Sequence, residues 1–203
     1  MKYQVFRGLR KLLYAKVTIG SDGNETWGVW KELAGLQTCE FAPNESSETI
    51  YFDNIGAIVM DIEGDQAYTL GTSVPDLQTR TEISGRTWDD TKKCALGTKL
   101  NKSYYAIGFL YGTQDGEEYL KVVLKGKFGG ASESYVTEDN STTHNIYQMT
   151  FNAVTPKVEI PYNGGSAQMS AYCFKASEED IATYLSVGGK VMDVTGVALP
   201  ATA

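Results

Sequence analysis

The sequence has little of what catalysis by side chains usually requires. Its 203 residues hold one histidine, His144, and three cysteines, Cys39, Cys94 and Cys173. Nucleophilic catalysis by serine or cysteine needs a base held in place by a third group. Every such scheme here would rest on His144, in the stretch Thr142-Thr143-His144-Asn145, which reads as a strand edge or turn. The cysteines are odd in number and far apart, so they make no disulfide framework. Structural zinc wants closely spaced ligand pairs, which are missing as well. Buried, reduced thiols are expected, as in a protein made in a cytosol. No stretch approaches the roughly 20 apolar residues of a membrane helix, and no apolar run follows Met1-Lys2-Tyr3 to suggest a signal peptide. Cations are also few: 18 Lys and Arg against 25 Asp and Glu, a formal net charge of −7. That balance argues against binding duplex nucleic acid, where affinity comes from cations displacing counterions. It argues equally against docking on anionic lipid. It suits solubility, or a surface that repels phosphate.

The remaining motifs of chemistry fail on spacing. Asp61-Ile62-Glu63-Gly64-Asp65 opens like a calcium loop, but Thr72 stands at the twelfth position, where such a loop needs Glu. Gly126-Lys127-Phe128-Gly129-Gly130 lacks the spacing of a phosphate-binding loop. The adjacent carboxylates Asp89/Asp90 and Glu178/Glu179 point apart on any regular element, so they are poor paired acids. No cofactor or metal is expected, and an enzyme is the least favoured class.

What the chain does have is the material of sheets. Thirteen Tyr, with abundant Thr and Val, suit a pleated, half-buried surface. Leu12 to Ile19, the turn Ser21-Asp22-Gly23-Asn24 and Thr26 to Trp30 read as a hairpin. Residues 42–49 are polar, contain Pro43 and show no period, which predicts a loop. Ala57 to Ile62 and Gln66 to Leu70, turned by Gly64-Asp65, read as a second hairpin. Ser73 is the predicted N-cap of a helix reaching about Ile83 and stopping at Gly85, with Pro75 and Asp76 in its first turn. Tyr104 to Tyr111 and Glu118 to Leu124 form the clearest strand pair, joined through Asp115-Gly116. On the return strand, Leu120, Val122 and Leu124 share one face, and Lys121, Val123 and Lys125 the other. Residues 129–135 are Gly- and Ser-rich and predict loose structure. Thr143 to Val154, Pro156 to Ile160 and Gln168 to Phe174 add strands. Glu178 to Leu185 is a second helix candidate, ended by Gly188-Gly189. The expected fold is mainly β: an antiparallel β-sandwich or split barrel with one or two short flanking helices. Residues 1–203 read as a single domain, with an N-terminal arm over 1–11 and a possible C-terminal extension over 188–203.

Three segments carry a resemblance. They are Gly8-Leu9-Arg10-Lys11-Leu12-Leu13-Tyr14-Ala15-Lys16, Ile50-Tyr51-Phe52-Asp53-Asn54, and Tyr119-Leu120-Lys121-Val122-Val123-Leu124-Lys125-Gly126-Lys127-Phe128. In this order, across roughly residues 5 to 155, the chain resembles the major tail tube proteins of long-tailed, non-contractile bacteriophages. The resemblance implies a structural virion protein, made in the host bacterial cytoplasm and located in the phage tail. Six subunits would form a ring, and rings would stack into a hollow tube through which the genome passes. Implied partners are further copies of the chain, the tape measure, distal tail and tail terminator proteins, and DNA in transit without specific binding. The arm, Met1 to Lys11, and the polar excursion at 42–54 become candidates for contact between rings or subunits. The residues concerned are Arg10, Asn44, Glu45, Tyr51, Asp53 and Asn54. An acidic lumen would keep DNA from adhering, with Asp61, Glu63, Asp65, Asp115, Glu117 and Glu118 as candidates. The same acids on an outer surface are the plainer alternative. Two other classes compete: a related tube protein of a contractile or secretion system, and a β-sandwich binding module of the adhesin or carbohydrate-binding kind, for which exposed Tyr and Trp would serve.

Overall fold

A computed structural model describes residues 5–52, 55–64, 66–132, 146–162 and 165–175. In chain order the strands before the helix are β1 (Phe6–Ile19), β2 (Glu25–Trp27), β3 (Lys31–Ala34), β4 (Leu36–Ala42), β5 (Glu45–Phe52), β6 (Ile55–Glu63) and β7 (Gln66–Thr72). Helix α1 (Leu77–Ile83) follows, then the small pair β8 (Thr87–Asp89) and β9 (Cys94–Leu96). The long strands β10 (Tyr104–Thr113) and β11 (Glu118–Ser132) come next, with β12 (Tyr147–Ala153), β13 (Ile160–Tyr162), β14 (Gly165–Ala167) and β15 (Ala171–Lys175) after them. The protein is thus mainly β, with one short helix among the described residues and an antiparallel main sheet, as the composition predicts.

That sheet runs β2-β1-β10-β11-β12-β7-β4. It then curls back on itself. β3 pairs with β1 at Leu12–Tyr14, while β4, one residue further on, pairs with β7. Gly35 is the break between them, and it is tied to Ser73 in both directions: its N–H donates to Ser73 Oγ at 3.0 Å, and its carbonyl accepts from Ser73 N–H at 2.8 Å. The result is a split barrel. Alternate residues of its strands point inward, including Leu12, Tyr14, Tyr68, Leu70, Ile107, Phe109, Val123, Phe128, Met149 and Phe151. At one end α1 plugs the barrel through Ile83. The other end holds Leu9, Phe41, Phe109 and Tyr111.

The outer face of β1, β10 and β11 is covered too. Leu13, Ala15, Val17, Ala106, Leu110, Leu120, Val122 and Leu124 form a second core with Trp30 and Ile160. The expected split of β11 holds: Leu120, Val122 and Leu124 share the outer core, while Val123 joins the inner one. β11 serves two partners along its length. β15 lies beside Tyr119–Val123, and β12 beside Gly126–Ser132.

Several expectations need correction. Half of the presumed N-terminal arm, from Phe6, is sheet, paired with β10 as far as Thr113. The two-residue alternation that would have shown it is broken by bulges at Arg7/Leu9 and Arg10/Leu12, next to the positive φ of Gly8 (71°) and Lys11 (45°). The expected loop at 42–49 is strand from Glu45, and it shows no period because both its faces meet solvent. Ala57 to Ile62 pairs with β5, not with Gln66–Leu70; β7 instead lies between β12 and β4. The helix is capped by Asp76, whose carboxylate accepts from Thr79 N–H at 2.9 Å, because Ser73 is engaged by Gly35. β11 continues to Ser132 through the Gly-rich stretch. β12 starts at Tyr147, β13 only at Ile160 and β15 at Ala171, each shorter than the predicted strand. The thiols are free, but Cys39 and Cys94 are half-buried and Cys173 is exposed. His144, the helix over Glu178–Leu185 and the tail fall outside the described residues.

Candidate functional site

The β5–β6 hairpin departs from the ordinary logic of the fold. Its strands pair with each other from Glu45↔Glu63 to Phe52↔Ile55 and with no strand of the main sheet. Glu45 to Thr49 are all exposed, so β5 presents two wet faces. A two-stranded ribbon alone in water is marginal at best. This one also carries apolar side chains into solvent: Tyr51 is 66% exposed, Val59 62%, Met60 50% and Ile58 49%. Ile58, Val59 and Met60 are consecutive, so they occupy both faces of the ribbon. Such a surface is a candidate for association.

Charge is distributed unevenly as well. From Glu32 to Thr79 the sequence contains no Lys or Arg, so the hairpin is purely acidic. From Met1 to Ser21 it contains no Asp or Glu, and β1 is correspondingly basic.

The predicted contact residues fall in two places. Asn44 sits at the base of the hairpin, where its carbonyl accepts from Gly64 N–H at 2.7 Å. Glu45 and Tyr51 lie on β5, Glu45 directly opposite Glu63. Asp53, Asn54 and Asp65 lie outside the described residues. Arg10 is on β1, with Nη1 2.9 Å from Glu118 Oε1. The predicted lumen acids also divide. Asp61 and Glu63 are on β6, opposite Ser47 and Glu45. Asp115, Glu117 and Glu118 cluster at the turn between β10 and β11. There Glu117 accepts from Lys175 Nζ and from Tyr119 Oη, each at 2.8 Å. The hydrogen bond to Glu117 and its charge raise the Lys175 ammonium above its ordinary value. Glu117 and Glu118 are therefore already paired with cations, while Asp61 and Glu63 lie on the hairpin.

Sequence reasoning missed a second feature, the open barrel mouth. A cavity of about 350 Å³ is lined there by Phe6, Leu9, Phe41, Phe109 and Tyr111, with Arg7, Cys39 and Lys121. Lys121 points to the inner face of β11, with its ammonium 4.6 Å from the Phe41 ring centre and 5.2 Å from that of Tyr68. Burial pushes the Cys39 thiol up to about 11 and the Tyr68 hydroxyl up to about 12. The alternation of Lys121 with Val123 was the available signal, but only the closed sheet shows that this face points inward.

Among the described residues, no group of three His, Cys, Asp or Glu could hold a metal ion, and no helix is long and apolar enough to cross a membrane. No protein-family model and no curated protein matches the chain.

Proposed function

We propose that the chain is a structural, self-assembling subunit of the tail tube kind, whose copies associate into rings that stack around a hollow passage for DNA. The observation that carries this reading is the β5–β6 hairpin, which exposes Tyr51, Ile58, Val59 and Met60 and pairs with no strand of its own main sheet. An element that is marginal at best in isolation and pairs with no strand of the main sheet is best understood as part of an interface. Its position fits a head-to-tail contact, because hairpin and barrel are different surfaces of one subunit. Heterologous contacts of this sort close into rings or run on as filaments. The acidic run from Glu32 to Thr79 supports the low affinity for DNA that a conduit requires. The virion tail location, the ring of six and the tape measure, distal tail and terminator partners belong to the same proposal and follow from the sequence resemblance. So does the view that the protein performs no catalysis.

Negative-stain electron microscopy of the purified protein over a concentration series tests the reading. Uniform hollow rings or tubes are the expected result. Compact single particles at every concentration would contradict it. A second reading, a β-sandwich binding module, draws on the apolar cavity at the barrel mouth.

A further inference from the structure

The barrel mouth differs from the hairpin in being concave, and its chemistry is mixed in a specific way. Its walls are aromatic and aliphatic, from Phe6, Leu9, Phe41, Phe109 and Tyr111. Its charges are all positive. Arg7 lines the opening and makes no ion pair with a described carboxylate. Lys121 stands on the inward face of β11, where a barrel strand ordinarily places an apolar side chain. Its ammonium rests on the Phe41 and Tyr68 rings and has no carboxylate partner among the described residues. Tyr68, beside Phe41 and Lys121, is wholly buried, and its hydroxyl has no hydrogen-bond partner among the described residues. Helix α1 packs on the same inner core through Ile83, and none of its residues lines the cavity.

Apolar walls with a few convergent polar groups define a small-molecule site, and barrel mouths are a common place for one. We propose that the mouth binds a small amphipathic carboxylate, with its apolar part against Phe6, Leu9, Phe41 and Phe109 and its carboxylate between Arg7 and Lys121. The positive rim is notable in a protein of net charge −7. Arg7 comes from β1, in the acid-free start of the sequence, and Lys121 from β11. This site does not depend on the assembly reading, and its test does not require assembly.

Isothermal titration calorimetry of the full chain with decanoate and with decyltrimethylammonium distinguishes charge recognition from simple greasiness. Decanoate binds with 1:1 stoichiometry, and the cationic amphiphile binds about tenfold or more weakly. Arg7→Gln and Lys121→Met each weaken decanoate binding about tenfold, the effect of losing one charge-assisted contact. Lys16→Gln, an exposed cation away from the mouth, leaves it unchanged. Leu9→Trp fills the cavity and removes binding, a readout that survives if one charge variant folds poorly. The inference is overturned if decanoate shows no saturable binding below its micelle concentration. Equal binding of both amphiphiles overturns it too, as does unchanged decanoate affinity in Arg7→Gln and Lys121→Met.

Discussion

Glu25 ties β2 to Lys125 and to the segment at Lys157 and Val158. Its side chain is 1% exposed and that of its partner Lys125 is 13%, with Nζ to Oε1 at 2.7 Å. The carboxylate also accepts from the N–H groups of Lys157, at 3.1 Å, and Val158, at 3.2 Å, which pins that segment beside the outer core. Burial pushes the Glu25 carboxyl up, but the hydrogen bonds from Lys125, Lys157 and Val158 together outweigh it and hold it below its ordinary value. Glu25→Gln leaves a nearly buried ammonium unpaired and is expected to cost about 3 kcal/mol in urea unfolding at pH 7. Because the folded carboxyl lies below the unfolded one, its contribution is complete above about pH 5 and fades as pH falls through the depressed folded value. The gap between wild type and Glu25→Gln should therefore narrow on acidification toward pH 3; a constant gap would refute the assignment. Tyr68 makes the opposite case. Its buried hydroxyl has no hydrogen-bond partner among the described residues, so Tyr68→Phe should raise stability by about 1 kcal/mol in the same assay. A loss of that size would mean the hydroxyl is satisfied.

At the level of elements, two local devices are testable. Asp76 caps α1 through Thr79, with its carboxylate accepting from both the N–H and the hydroxyl of that residue. Asp76→Ala should cost about 1 kcal/mol. Gly126 lies where β11 passes from β15 to β12. A Cβ there would meet Asn152 O and Phe151 Cε1, each at 2.5 Å. Neither backbone nor the fully buried ring can yield cheaply, so Gly126→Ala should lower Tm, at a cost of about 1–3 kcal/mol. The elements also show what the sequence could reveal. β10 and β11 were legible because Asp115-Gly116 marks their turn and their apolar residues are dense. β5 was not legible, because a strand with two wet faces has no alternation to read. The start of β1 was hidden by its bulges. The pairing of β6 with β5 is a choice between two neighbours, and periodicity carries no information about which neighbour is taken. The barrel mouth assembles residues from β1, β4, β10 and β11, so no single stretch of sequence could announce it.

At the scale of the whole molecule, a stable subunit and an assembling one place different demands on the same fold. The split barrel with cores on both sheet faces is sufficient for a stable subunit. The hairpin adds exposed apolar area that a lone subunit has no reason to carry. Replacing Ile58, Val59 and Met60 by Ser should change subunit stability by no more than about 0.5 kcal/mol, as is usual for exposed positions, because these side chains face solvent. It should nevertheless abolish association. Sedimentation velocity of wild type and this triple variant, side by side over a concentration series, measures that claim most directly. Concentration-dependent large species are expected for wild type and a single monomer for the variant. Identical sedimentation of the two proteins, whether both assemble or both stay monomeric, would contradict it.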